Sequence, residues 1–141
     1  MTNRMAKILI AAGAAGRERL RKILQSSSHS LIVANTMDEA LDAASSCDVL
    51  VCGLEFDESR MFDFLQKLNT EEKLKTKPRL CVRFFATNTP ELVLDGLDLA
   101  VRAVGGSGLL DLPTLEAELG TSAAEARVRQ EIEGALNRRR R

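Results

Sequence analysis

The stretch Asp48-Val49-Leu50-Val51-Cys52-Gly53-Leu54 limits the folds open to this chain more than any other. Such a run of aliphatic residues, entered from a carboxylate and closed by a glycine, fits a strand buried on both faces of a sheet. The segments on either side have helical spacing, so the sheet is expected to be parallel, with this run at its centre. In open parallel α/β sheets, ligands and chemistry lie just past the carboxyl ends of the strands. Positions 52–55 therefore decide what the domain does, and the residue that closes the run there is Gly53, which has no side chain.

Read in order, residues 7–11 (KILIA) form a first strand that runs into the small-residue turn Ala12-Gly13-Ala14-Ala15-Gly16. Leu20, Ile23 and Leu24 fall at helical spacing within 17–25, and 31–34 form a second strand. Thr36-Met37-Asp38-Glu39 has a Thr three residues ahead of a Glu, a capping box that opens a second helix reaching 46. The central strand leads into an acidic turn, Glu55-Phe56-Asp57-Glu58, expected to be solvated, and then a third helix over 59–68. Leu80-Cys81-Val82 with Phe84 make the fourth strand.

Thr89-Pro90 opens a fourth helix over 91–104, since proline suits the first helical position and threonine caps it. Its core stripe is Val93, Leu97, Ala100, Val101 and Val104, although Leu97, Leu99, Val101 and Ala103 also alternate as a strand would. Leu109-Leu110-Asp111-Leu112 is a fifth strand stopped by Pro113. A turn of helix over 114–119 ends at Gly120, and a second capping box, Ser122 with Glu125, opens a last helix reaching 137.

Five βα units in 141 residues amount to one domain, of flavodoxin-like α/β class, with three layers and sheet order 2-1-3-4-5. It is expected over 6–137, with 138–141 a basic tail or the start of a linker. Those four arginines matter to the charge balance: without them the chain carries 16 basic against 20 acidic residues, a mildly acidic body. No apolar run approaches the roughly 20 residues that span a bilayer, and no secretory signal opens the chain, so a cytoplasmic location is expected. Cys47, Cys52 and Cys81 have neither CxxC spacing nor a second histidine beside His29, and are expected to be buried free thiols.

Three places resemble the receiver domain of bacterial response regulators: Asn35-Thr36-Met37-Asp38-Glu39-Ala40-Leu41, the run from Asp48 to Leu54, and the segment 104–113. The family's chemistry, as that resemblance implies it, uses two acidic residues and an aspartate around Mg²⁺, the last of these taking the phosphoryl group. A hydroxyl residue and a lysine bind its oxygens. Here the acidic pair falls on Ala12 and Gly13, the phosphoacceptor on Gly53, the hydroxyl on Arg83 and the lysine on Leu112. None of the five groups is present. A hard cation needs oxygen ligands and phosphoryl transfer needs a nucleophile, so no cofactor, no metal and no enzymatic activity are expected. Asp48 sits at the other end of its strand; Glu55 and Asp57 are nearer but lack a lysine or acidic pair to complete a site. Arg83 either holds a bound anion or pairs with Glu55, or packs its stem on the sheet with its head in water.

What the resemblance leaves is a non-phosphorylatable module for protein interaction or dimerisation, the regulatory part of a larger signalling protein. Its expected surface comprises Leu92, Leu94, Leu99 and Ala103, off the core stripe of the fourth helix, with Leu109 of the fifth strand. A competing reading takes the turn from Ala11 to Gly16 as a dinucleotide-binding glycine motif, or the altered pocket beside Gly13, Gly53 and Arg83 as a small-molecule sensor. Against the nucleotide version, Asn35 stands where an acidic ribose ligand belongs. Nucleic-acid binding would rest on Arg127, Arg129 and the arginine tail, with neither Trp nor Tyr to stack bases, and is not expected.

Overall fold

The computed structural model describes residues 5–85 and 91–139; the side chains of Glu91, Leu92 and Arg139 fall outside that description. The expected helix opening at Thr89-Pro90 and the final Arg140 and Arg141 also lie outside the described residues. Strands β1 (Lys7–Ala11), β2 (Ser30–Ala34), β3 (Val49–Gly53), β4 (Arg79–Arg83) and β5 (Leu109–Asp111) form one parallel sheet. Its order is β2-β1-β3-β4-β5, the flavodoxin-like arrangement expected from the sequence. The helices are α1 (Ala14–Leu24), α2 (Met37–Ala44), α3 (Met61–Asn69), α4 (Glu91–Ala103), α5 (Leu112–Leu119) and α6 (Thr121–Arg139).

Strand alternation divides the core in two. Ile8, Ile10, Val49, Val51, Leu80 and Val82 face one side, where they meet Leu20, Ile23 and Leu24 of α1 and Val128, Ile132 and Leu136 of α6. Leu9, Leu50, Cys52 and Cys81 face the other, against Ala40 and Ala44 of α2, Phe64, Leu65 and Leu68 of α3, and Val101 of α4. Each fully buried Ile or Leu contributes about 1.5–3 kcal/mol, and both faces need it. All three cysteines are buried free thiols.

At the amino edge of the sheet, Asp48 accepts the Lys7 amide at 2.8 Å, so its carboxylate is far from the carboxyl edge. The same region buries two cations, Lys77 and Arg79. Lys77 Nζ donates to the carbonyls of Ser45 and Cys47 at 3.0 and 2.6 Å, and Arg79 donates to those of Leu74, Lys75 and Lys77. His29 ties α6 to the sheet: its Nδ1 accepts the Ala6 amide at 3.0 Å, which leaves Nε2–H to donate to Glu133 at 2.6 Å.

The Thr36–Glu39 capping box is present in full, and Asp57 adds to it by accepting the Met37 amide at 2.9 Å. Asp57 is thus half-buried and bonded, not solvated as expected. The acidic turn departs from expectation in its backbone too. Asp57, Glu58 and Ser59 all adopt left-handed φ, at 44°, 56° and 68°, and α3 begins only at Met61. For non-glycine residues this costs roughly 1–2 kcal/mol each. Phe56 offsets it, fully buried with its ring edge-on to Phe64 at 5.6 Å between centroids.

In α4, Val101 is buried in the core and Val104 packs against it, while Val93, expected in the core stripe, is 49% exposed. The reason is angular: Val93 is one residue, about 100°, off the line that Leu94 and Val101 set. The last helix starts at Thr121, so Ser122 lies inside its first turn and is not the cap; Glu125 instead receives Arg19 Nε at 3.0 Å. Residues 112–119 form a helix of their own, separated from α6 by Gly120 at φ 86°.

Candidate functional site

The carboxyl ends of β1, β3, β4 and β5 bring Ala12, Gly13, Gly53, Arg83 and Leu112 to one edge of the sheet, where Gly13, Gly53 and Arg83 line one cavity and Ala12 and Leu112 do not. What fills the edge is Phe84. Its ring is 7% exposed and lies against three positions without bulk. A Cβ placed on Gly53 would stand 3.1 Å from Phe84 Cε2 and 3.1 Å from Ala12 Cβ; one on Gly16 of α1 would stand 2.9 Å from Phe84 Cδ2. The ring therefore occupies the space that side chains at 16 and 53 would need. Phe84 was expected as a strand residue, but β4 ends at Arg83 and the ring belongs to the pocket.

Arg83 is buried, and its Nη1 donates to Asp111 Oδ1 at 2.7 Å. The second oxygen of Asp111 accepts Thr114 Oγ1 at 2.9 Å. A carboxylate that the sequence reading did not name stands beside Arg83, because β4 and β5 pair with Arg83 directly opposite Asp111. Side chains stepped alike along parallel neighbours must meet. Leu112 follows at 0% exposure and has become the first residue of α5, not the end of β5. Arg17 Nη1 donates to the Ala12 carbonyl at 3.1 Å, placing a second cation at the end of β1.

Beside Phe84 remains a cavity of about 200 Å³ lined by Gly13, Gly16, Gly53, Leu54, Glu55, Ser59, Arg83, Phe84, Phe85 and Leu97. Phe85 stands 6.2 Å from Phe84 between ring centroids, tilted by 45°.

No family model and no curated protein matches the sequence. Solved structures do match the fold. The chain is similar to chemotaxis response regulator CheY4 of Vibrio cholerae at 20% identity and TM-score 0.65, over 92% of this chain and 99% of that one. A putative response regulator from Chloroflexus aurantiacus gives 17% identity and TM-score 0.69, over 95% and 99%. The signal receiver domain of a putative Luxo repressor protein from Vibrio parahaemolyticus gives 11% and 0.71, over 97% and 94%. The chain has the receiver-domain fold.

The Mg²⁺ that the receiver resemblance implies does not fit these residues. Ala12, Gly13 and Gly53 offer no side-chain oxygen, the ring of Phe84 occupies the space beside Gly53, and the Asp111 carboxylate is engaged by Arg83 and Thr114. Among the described residues no group of three or more His, Cys, Asp or Glu is placed to hold a metal ion.

On the receiver scaffold the expected interaction residues separate into two sets. Leu99 is 67% exposed and Ala103 is exposed, whereas Leu94 and Leu109 are half-buried. Leu94, Leu99 and Leu109 line a groove between α4 and β5 with Asp95, Asp98 and Asp111. Leu92 lies there in sequence, but its side chain is outside the described residues. Asp98 fixes the groove: Oδ1 accepts the Leu109 amide at 2.7 Å and Oδ2 accepts Arg102 Nε at 3.0 Å. The Leu109 amide, then Arg102, hold the Asp98 carboxyl below the usual carboxylate range. No helix among the described residues is long and apolar enough to cross a membrane.

Sequence reasoning missed Phe84, Asp111 and Ser59 as site residues. A signal for Phe84 was available: three small residues, Ala12, Gly16 and Gly53, converging on one point demand a large neighbour. Asp111 required the β4–β5 register, and Ser59 the left-handed turn.

Proposed function

We propose that this chain is a non-phosphorylatable, receiver-like protein-interaction module, the regulatory part of a larger bacterial signalling protein acting in the cytoplasm. One observation carries the reading: an aromatic ring is packed against Gly53 and Gly16, at the point where the family places its phosphoacceptor. With no carboxylate at position 53 to accept a phosphoryl group, the domain signals through what it binds.

The surface for that binding is the outer side of α4 with the groove to β5. Leu99 at 67% and Val93 at 49% exposure are two of the large apolar residues left in solvent, and Ala103 extends their face. A second copy of the chain is the first partner to test. Sedimentation velocity over a concentration series is expected to show reversible dimer formation, and Leu99→Glu to abolish it with no loss of thermal stability. A wild-type chain that stays monomeric at high concentration, or a dimer indifferent to Leu99→Glu, would contradict this surface.

A further inference from the structure

The cavity beside Phe84 has a chemistry different from the one its position in the fold implies. We propose that it binds a flat, uncharged aromatic heterocycle of one or two rings that carries an N–H donor. The proposal rests on the reading that this edge of the sheet is not a phosphoryl site.

Size comes first. An engineered apolar cavity of about 150 Å³ stays dry and takes up benzene. The 200 Å³ here suits one fused bicycle. Shape follows from the walls: Phe84 and Phe85, Leu54 and Leu97, and Gly13, where no Cβ holds a planar group away.

Charge gives an anion no unmatched cation to bind. Arg83 is held by Asp111 at 2.7 Å and Arg17 donates to the Ala12 carbonyl, so with Glu55 these four side chains sum to zero. Among the lining residues Glu55 is the one that carries a carboxylate, a group to which an N–H can donate. Ser59, brought to the cavity by the left-handed turn, lines it together with Glu55.

The test is a titration of the ¹⁵N-labelled full chain followed by amide NMR, with indole as probe, benzofuran as its isostere lacking N–H, and inorganic phosphate as the anion. Indole is expected to cause saturable shifts at Gly13, Gly53, Ser59, Phe85 and Leu97, benzofuran to bind at least tenfold more weakly, and phosphate to leave these amides in place. Gly13→Leu supplies the blocking variant. Gly13 has ordinary extended backbone at φ −66° and ψ 169°, and a Cβ there meets only Glu55 O at 3.6 Å and Glu55 Cβ at 3.8 Å. The variant should fold, fill the cavity and weaken indole at least tenfold.

Absence of saturable shifts with indole, shifts that survive Gly13→Leu unchanged, or equal binding of indole and benzofuran would each overturn the proposal. A failed titration would leave the interaction reading intact, because that reading is judged by oligomeric state and by phosphoryl uptake, neither of which involves the probe.

Discussion

Replacing Gly16 by alanine tests whether the Phe84 ring is wedged into the sheet edge as tightly as the geometry says. In an unobstructed helix this exchange stabilises by about 1 kcal/mol. Within α1 the new methyl would meet Phe84 Cδ2 at 2.9 Å, Phe84 Cε2 at 3.0 Å and Ala12 Cβ at 3.3 Å. Pushing an extra methyl into a packed site costs about 1–3 kcal/mol, so the net effect runs from near zero to a loss of about 2 kcal/mol. Gly96 of α4 is the internal control, for a Cβ there meets nothing within 4 Å, and Gly96→Ala is expected to give the full gain of about 1 kcal/mol. Shortening the ring with Phe84→Leu should remove the obstruction, so that Gly16→Ala becomes favourable in that background. Urea denaturation of the two single variants, the double variant and wild type gives the coupling, expected at about 1–3 kcal/mol. If Gly16→Ala stabilises as much as Gly96→Ala, or if the cycle shows no coupling, Phe84 is not where the account puts it.

Arg83→Met strands the Asp111 carboxylate, and since that side chain is 21% exposed, solvent should moderate the loss to about 1–3 kcal/mol by urea denaturation. Adding Asp111→Leu should recover most of it, which a purely local packing defect at position 83 would not allow. Asp98 carries a pH signature. Its folded pKa is depressed, so its contribution is fully present above the unfolded value near 4 and is lost as pH falls through the folded value. Asp98→Asn should therefore flatten the decline of stability in that acidic window, while costing about 1 kcal/mol at neutral pH; thermal melts from pH 7 to pH 2 report both.

The parts of the structure legible in the sequence are those fixed by local pattern. The run from Val49 to Gly53 is buried at every position, as an uninterrupted aliphatic stretch must be, and the Thr36–Glu39 box caps α2 with both of its bonds. Where two segments meet across the sheet, pattern gives less. Whether Arg83 finds Asp111 or Glu55 depends on the β4–β5 register, which no short motif encodes. The left-handed turn at 57–59 has no glycine or asparagine to announce it, and is held by tertiary contacts of Phe56 and Asp57. Ser122 and Glu125 show the converse: a capping pattern bypassed because the helix already starts at Thr121, with Glu125 paired to Arg19, close in space and distant in sequence.

The most direct test of the central claim is intact-mass spectrometry of the chain after incubation with acetyl phosphate and Mg²⁺. With a phenyl ring beside Gly53 in place of an acceptor, the mass should remain unchanged at every incubation time. A stoichiometric gain of one phosphoryl group on any aspartate or glutamate would contradict the account.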